Sequence, residues 1–192
     1  MKNLTKIIGL LVISLLVLSS CGGKDIVKSG YMAGAPTWVL KGSGAFEDDR
    51  GKVFYGVGSA SGIRNHALLR STSDNRARNE LAKVFEVYTS SLMKDYAAST
   101  TAADPNVTSE EQHVEQAIKT VTSATLSGVE IIDRWQADTG ELFALARLDL
   151  DSFKDALKKA KNLNAKARDY IRENAERLHD ELEKEESKIQ KK

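Results

Sequence analysis

Val53-Phe54-Tyr55-Gly56-Val57-Gly58-Ser59-Ala60-Ser61-Gly62 is the stretch from which the arrangement of the rest of the chain follows. Its first six residues are β-branched, aromatic or glycine and are bounded by turn residues, which predicts a strand. Side chains alternate across a strand, so Gly56 and Gly58 share one face while Val53, Tyr55 and Val57 share the other. A face stripped of side chains lets a helix approach closely. Such a helix follows: Ala77, Leu81, Val84, Phe85, Tyr88, Leu92 and Tyr96 recur at helical spacing and fall on one stripe. A helix over about residues 63–96 is ~50 Å long at 1.5 Å per residue. Its first turns carry Ala67, Ser71 and Asp74, small or polar residues that suit close packing on the glycine face.

Downstream, a Thr/Ala/Pro-rich break at 99–106 precedes Thr108-Ser109-Glu110-Glu111, a helix start with a hydroxyl cap and acids in the first turn. Val114, Ala117, Ile118 and Val121 form the stripe of this second helix, which should end near Gly128. The apolar runs 129–135 and 142–148 flank Asp138-Thr139-Gly140 and are predicted to be a hairpin. Asp151 should cap a short helix through Ala160. The order β-α-α-β-β-α defines an α+β domain, a small three-stranded sheet packed by a long helix and a second helix. Upstream, Pro36-Thr37-Trp38-Val39 is expected to be an extended segment on the domain edge, and 42–52 a loop.

From residue 163 onward the chain is highly charged and lacks Pro and Gly, so a charged C-terminal helical extension is expected. Within it Ile171, Ala175, Leu178, Leu182 and Ile189 follow spacings of 4, 3, 4 and 7, with Glu185 at the intervening heptad site. This seam is either a narrow stripe on a solvated helix or a surface for self-association or a partner. If helices cover the glycine face, the face of Val53, Tyr55 and Val57 also needs a lid, and an exposed apolar patch marks an interface. The expectation is therefore oligomerisation, or docking of the Trp38 segment or of the tail on that face. Trp38, Tyr55, Val57, Ile171, Leu178 and Leu182 are the candidate interface residues.

The N-terminus carries Lys2 and Lys6, an apolar run over 7–18, and then Ser19-Ser20-Cys21. That is the pattern of a secretory signal, and the run is too short to span a bilayer, which needs ~20 apolar residues. Leu18-Ser19-Ser20-Cys21 resembles the lipobox of bacterial lipoproteins. The resemblance implies cleavage before Cys21 and its modification by a diacylglycerol thioether and an N-acyl chain, palmitate-like chains that anchor the protein. Each buried CH₂ adds ~0.8 kcal/mol to such anchoring. The resulting plan is a signal peptide over 1–20, a lipidated tether over 21–35, a domain over 36–162 and the tail over 163–192. Cys21 is the single cysteine, so no intramolecular disulfide is possible and core packing must supply stability. Removing residues 1–20 takes two of the 28 basic residues and leaves 26 against 27 acidic ones. Such balance offers no electrostatic footprint for nucleic acid.

Three features could carry chemistry. Asp138-Thr139-Gly140 matches the aspartic protease tripeptide, but that chemistry needs two carboxylates sharing a proton, and the flanking Gln136 and Glu141 are foreign to the motif; a turn is expected. Gly56-Val57-Gly58-Ser59-Ala60-Ser61-Gly62 lies between strand and helix like a dinucleotide loop, yet its third glycine is one position late, so tight packing is expected instead. His66, His113 and His179 sit in separate helical segments without metal-ligand spacing, and are expected to be solvated or capping. No metal, cofactor, small-molecule substrate or catalytic residue is expected, and the protein is read as not an enzyme. Cys21 is the one modification site.

The lipobox, Ala35-Pro36-Thr37-Trp38-Val39 after a tether, Gly56-Val57-Gly58-Ser59-Ala60 after a strand, Ala77-Arg78-Asn79-Glu80-Leu81-Ala82 in the long helix and Glu141-Leu142-Phe143-Ala144-Leu145-Ala146-Arg147-Leu148-Asp149 together resemble the LPP20 lipoprotein family over roughly residues 21–160. The resemblance implies a small α/β domain anchored to the outer membrane and facing the periplasm, akin to lipoproteins that form disks around flagellar motors. Members are not known as enzymes. A non-catalytic envelope component that self-associates or docks on a larger machine is the expected function. A regulatory lipoprotein that binds a periplasmic cell-wall enzyme through its tail is the alternative. A small-ligand module would require a pocket between the sheet and the long helix. Gly22 after the cysteine, in place of Asp, agrees with outer-membrane delivery.

Overall fold

The computed structural model describes residues 26–28, 30, 32–101 and 108–190. The signal peptide, Cys21 and the start of the tether lie outside the described residues. The chain divides into two compact units, 1–36 and 37–192. In the first, the described part of the tether closes on itself: Ile26 and Pro36 form an antiparallel bridge, and Val27 N–H donates to the Ala35 carbonyl at 2.7 Å.

The second unit contains, in order, α1 (Trp38–Lys41), β1 (Gly44–Asp48), β2 (Gly51–Ala60), α2 (His66–Thr101), α3 (Thr108–Leu126), β3 (Glu130–Gln136), β4 (Leu142–Asp149), α4 (Leu150–Lys159) and α5 (Ala165–Gln190). The four strands form one antiparallel sheet in the order β1-β2-β4-β3. The α+β class is as the sequence predicts, but the sheet has a fourth strand where a loop was expected. Gly44–Asp48 pairs with β2 through a two-residue turn, in which Asp48 Oδ1 accepts from Arg50 N–H at 2.8 Å. An aspartate closing its own backbone in this way favours a turn. The Trp38 segment is a single helical turn and not the extended segment expected of it.

Gly56 and Gly58 act as anticipated. A Cβ on Gly56 would stand 2.6 Å from Leu81 Cβ, and one on Gly58 would stand 2.7 Å from Arg76 Cβ, so α2 rests on the bare backbone of β2. Asn65 Oδ1 accepts from Leu68 N–H at 3.1 Å and starts α2, one of the orphan amides of a helix N-terminus thereby being satisfied. From there Ala77, Leu81, Phe85, Tyr88, Leu92 and Tyr96 are buried in the core with Val114, Ala117 and Ile118 of α3. Phe54, Phe85, Tyr88 and Phe153 form an aromatic cluster, with Phe85 and Phe153 edge to face at 5.3 Å. At the hairpin, Asp138-Thr139-Gly140 is the exposed turn between β3 and β4, with Gly140 at φ 85° and its N–H donating to the Ala137 carbonyl at 2.8 Å. It has no geometry for protease chemistry, and the close helix contact leaves the Gly56–Gly58 backbone no room for a phosphate.

Asp151 lies in the first turn of α4, and the capping position belongs to Asp149, contrary to expectation. Asp149 ends β4 on the same face as Arg147, and its Oδ1 stands 2.6 Å from Arg147 Nη2, so its side chain serves the ion pair and makes no cap bond.

The largest departure concerns the tail. Asn164 Oδ1 accepts from Ala167 N–H at 2.7 Å and starts α5, which runs antiparallel along α2 to the free edge of β1. Ala167, Ile171, Ala175 and Leu178 are buried in the same core as Phe54 and Tyr88. Tyr88 Oη donates to the Ala175 carbonyl at 2.7 Å, and Tyr96 and Tyr170 meet edge to face at 5.5 Å. At the far end, Glu186 Oε2 accepts from Ala45 N–H at 2.6 Å, on the side of β1 that has no strand neighbour. The tail therefore belongs to the helix layer of the domain. It covers an edge of the sheet, not the face of Tyr55 and Val57 on which docking was expected.

Candidate functional site

The sheet face opposite α2 carries the residues that the sequence singled out. Pairing places Tyr55 beside Arg147, Val57 beside Leu145, and Phe143 beside both Ser59 and Trp135. Trp38 Nε1–H donates to Asp133 Oδ2 at 3.0 Å, so α1 is tied to this face as one of the expected lids. Tyr55 and Val57 are half-buried there. Leu40, next to Trp38 in α1, is 55% exposed, and Ile132 is 40% exposed beside Asp133 at a register shift in β3. A bulge turns the extra side chain out of the ladder, which accounts for Ile132.

Beneath this surface lies a charged cluster. Arg147 is buried, with Nη2 3.1 Å from Asp48 Oδ1 and 2.6 Å from Asp149 Oδ1. Tyr55 Oη donates to Asp48 Oδ2 at 2.5 Å. Burial, then the Asp48 hydrogen bond, holds the Tyr55 phenol above its usual range, and burial together with the neighbouring Asp48 charge raises the Asp149 carboxyl. Nε and Nη1 of Arg147 make no hydrogen bond. The cluster fixes the β1–β2 turn and the end of β4 in one arrangement and keeps Tyr55 upright, which suits a rigid packing surface. On the other face, Arg134 reaches α2 with a two-pronged bond to Asp74, both distances 2.7 Å.

Of the other expected interface residues, Ile171 and Leu178 are used inside the chain's own core and Leu182 packs partly buried against it. They are thus not a free seam, a correction whose physical reason is the lid that α5 provides for Phe54, Tyr88 and Tyr96. The side chain of Ile189 lies outside the described residues, as does Cys21. His66 and His113 are exposed as expected, but His179 is fully buried, with Nε2 3.0 Å from the Val53 carbonyl and its ring edge-on to Phe54 at 5.1 Å. Burial, above all, holds the His179 pKa below the ordinary imidazole value. The heptad spacing marked the buried seam but not this residue, because i, i+1 neighbours such as Leu178 and His179 are both covered only where a helix sinks between a sheet edge and another helix.

Glu186 supplies a pH-dependent contact. Burial pushes its carboxyl up to about 7 against the opposing pull of the Ala45 N–H, with Glu183 adding repulsion. In this range the folded chain holds a proton that the unfolded chain has already lost, so stability falls as pH rises. The loss should run from the ordinary carboxylate range up to about pH 7. Urea midpoints measured over that window should decline with pH in the parent chain. In Glu186→Gln the decline should be visibly flatter; an identical slope would show that Glu186 is not the group responsible.

A four-stranded sheet with helices packed on one face and a buried ion cluster on the other defines an α+β domain. The sequence model of the LPP20 lipoprotein family matches residues 36–149, and the chain belongs to that family. The family is one of lipoproteins and is not known as a family of enzymes. No curated protein matches the chain. The matched region runs from the start of α1 to the end of β4 and stops before α4 and α5, so the helix that completes the core lies beyond the shared pattern. Among the described residues no helix is long and apolar enough to cross a membrane.

Proposed function

We propose that the chain is cut before Cys21, acylated there and held on the periplasmic side of the outer membrane. Its domain then acts as a non-catalytic component that self-associates or docks on a larger envelope machine, flagellar structures among the candidates. The observation that carries this reading is the match to a lipoprotein family that begins at residue 36, directly after a short segment from Cys21. Acyl chains fix the cysteine at the bilayer, and the intervening residues set the reach of the domain. The sheet face of the half-buried Tyr55 and Val57, with Trp38 tied to it and the exposed Leu40 and Ile132 at its margin, is the docking surface in this reading, since exposed apolar side chains mark contacts. The regulatory alternative gave the docking role to the tail; with Ile171 and Leu178 inside the core, the sheet face is the better candidate. Likewise, a ligand pocket between sheet and long helix is disfavoured by the direct contact at Gly56 and Gly58.

Intact-mass spectrometry of the protein from its own cells should give a chain that starts at Cys21 and carries acyl mass, and Cys21→Ser should lack both the acyl mass and the membrane association. Retention of Met1, or a free thiol on a soluble product, would refute the anchor. A photo-crosslinking side chain at position 57 should capture either a second copy or one envelope protein, whereas the same probe at exposed Lys83 of α2 should not. Equal capture from both positions would count against the sheet face.

A further inference from the structure

His179 presents an electrostatic problem that its neighbours do not solve. The Val53 carbonyl can only accept, so Nε2, 3.0 Å away, carries the ring proton. In the neutral ring Nδ1 is then a bare acceptor. It is buried, makes no hydrogen bond, and lies 3.8 Å from Asp180 Oδ1, another acceptor. One turn further along α5, Glu183 brings a second carboxylate, and donor atoms of the three side chains all fall within 4.8 Å of one another. A cation placed between them would satisfy the unbonded Nδ1 and both carboxylates. A proton on Nδ1 is opposed by burial and by the Lys52 charge. Lys52 bonds Asp180 and so neutralises one carboxylate, but it leaves Nδ1 without a hydrogen bond.

The geometry points to a divalent transition-metal site formed by His179 Nδ1, Asp180 and Glu183, with zinc the best-matched ion. An imidazole with two carboxylates suits zinc and its neighbours better than magnesium or calcium, which prefer all-oxygen shells. Donors around one zinc ion at ~2.1 Å stand about 3.4 Å apart in a tetrahedron. Closing from the present spacing falls to Asp180 and Glu183, both half-buried, and Asp180 must first give up its bond to Lys52. The Nε2–H bond to Val53 already does what an outer-shell carbonyl does for metal-binding histidines, since it fixes the tautomer and aims the other nitrogen. Lys52 occupies Asp180 without metal and must release it on binding, so it is a built-in competitor. All three ligands lie on α5, so a bound ion would stiffen that helix where His179 packs on Phe54, at the expense of the Lys52–Asp180 link to β2.

The test is a zinc titration of the full chain carrying Cys21→Ser, freed of metal by chelation and kept in detergent, read by calorimetry and by the thermal midpoint. One equivalent of zinc should bind saturably and raise the midpoint, and magnesium at the same concentration should do neither. Glu183→Gln, at a half-exposed position that leaves the core untouched, should weaken binding at least tenfold. Lys52→Met should tighten it severalfold. His66→Ala with His113→Ala should leave it unchanged. Absence of saturable binding, full affinity in Glu183→Gln, or loss of binding in the His66/His113 variant would each overturn the site.

Discussion

A chain that stops after residue 162 is expected to lose cooperative unfolding altogether. It lacks α5, which buries Ala167, Ile171, Ala175, Leu178 and His179 and lies over Phe54, Tyr88 and Tyr96. Burying one Leu or Ile side chain contributes about 1.5–3 kcal/mol. Ile171 and Leu178 alone then supply several kcal/mol, and exposure of three aromatic rings removes more, against a total stability on the order of 5–15 kcal/mol for a domain. The truncated chain should bind a dye for exposed apolar surface, lose its near-ultraviolet dichroism and keep helical signal, the signs of an expanded state without fixed packing. A sharp urea transition at the parent midpoint would show instead that the tail is a removable appendage.

The second large effect is expected at Gly56. A single added methyl would collide with the Ala77 carbonyl and the Leu81 amide, both of them backbone atoms of α2 that cannot rotate away. Overpacking of this kind costs about 3 kcal/mol even for Gly56→Ala, and Gly56→Val should yield little folded protein. Ser59→Ala, on the other face of the same strand, should change stability by no more than about 0.5 kcal/mol. Urea unfolding of the two alanine variants decides the matter, and equal midpoints would remove Gly56 from its role as the seat of the long helix.

These two sites also mark what could and could not be seen before the fold was known. The glycine face, the stripe of α2 and the β3–β4 hairpin were legible because each is a local pattern: alternation within one strand, helical spacing within one helix, and Asp-Thr-Gly between two apolar runs. β1 was not. Gly44-Ala45-Phe46-Glu47-Asp48 is short, begins with glycine and ends in an acidic turn, and it becomes a strand only because β2 pairs with it and α5 lies along its free side. The position of the tail was equally hidden, since a 4-3-4 seam shows that something is covered without naming the cover. His179 gave no signal because its burial depends on residues more than a hundred positions away, as its bond to Val53 shows. Of the candidate interface, Tyr55 and Val57 share one face as alternation implied and Trp38 is tied to that face through Asp133, while Ile171 and Leu178 went to the core.

The two borders of the sheet differ in kind. At one, Glu186 occupies the outward Ala45 amide and the helix bearing it lies alongside; at the other, β3 is interrupted by a register shift and bears Glu130, Asp133 and Arg134. Continuous growth by strand addition would require each molecule to offer two open rims, one to donate and one to receive. This molecule has at most one, and that one is kinked and charged. Crowding many copies onto a lipid surface through their N-termini would therefore not seed an endless ribbon, and any ordered array must be stitched through faces, with a repeat set by the width of the domain and not by the 4.8 Å spacing of strands.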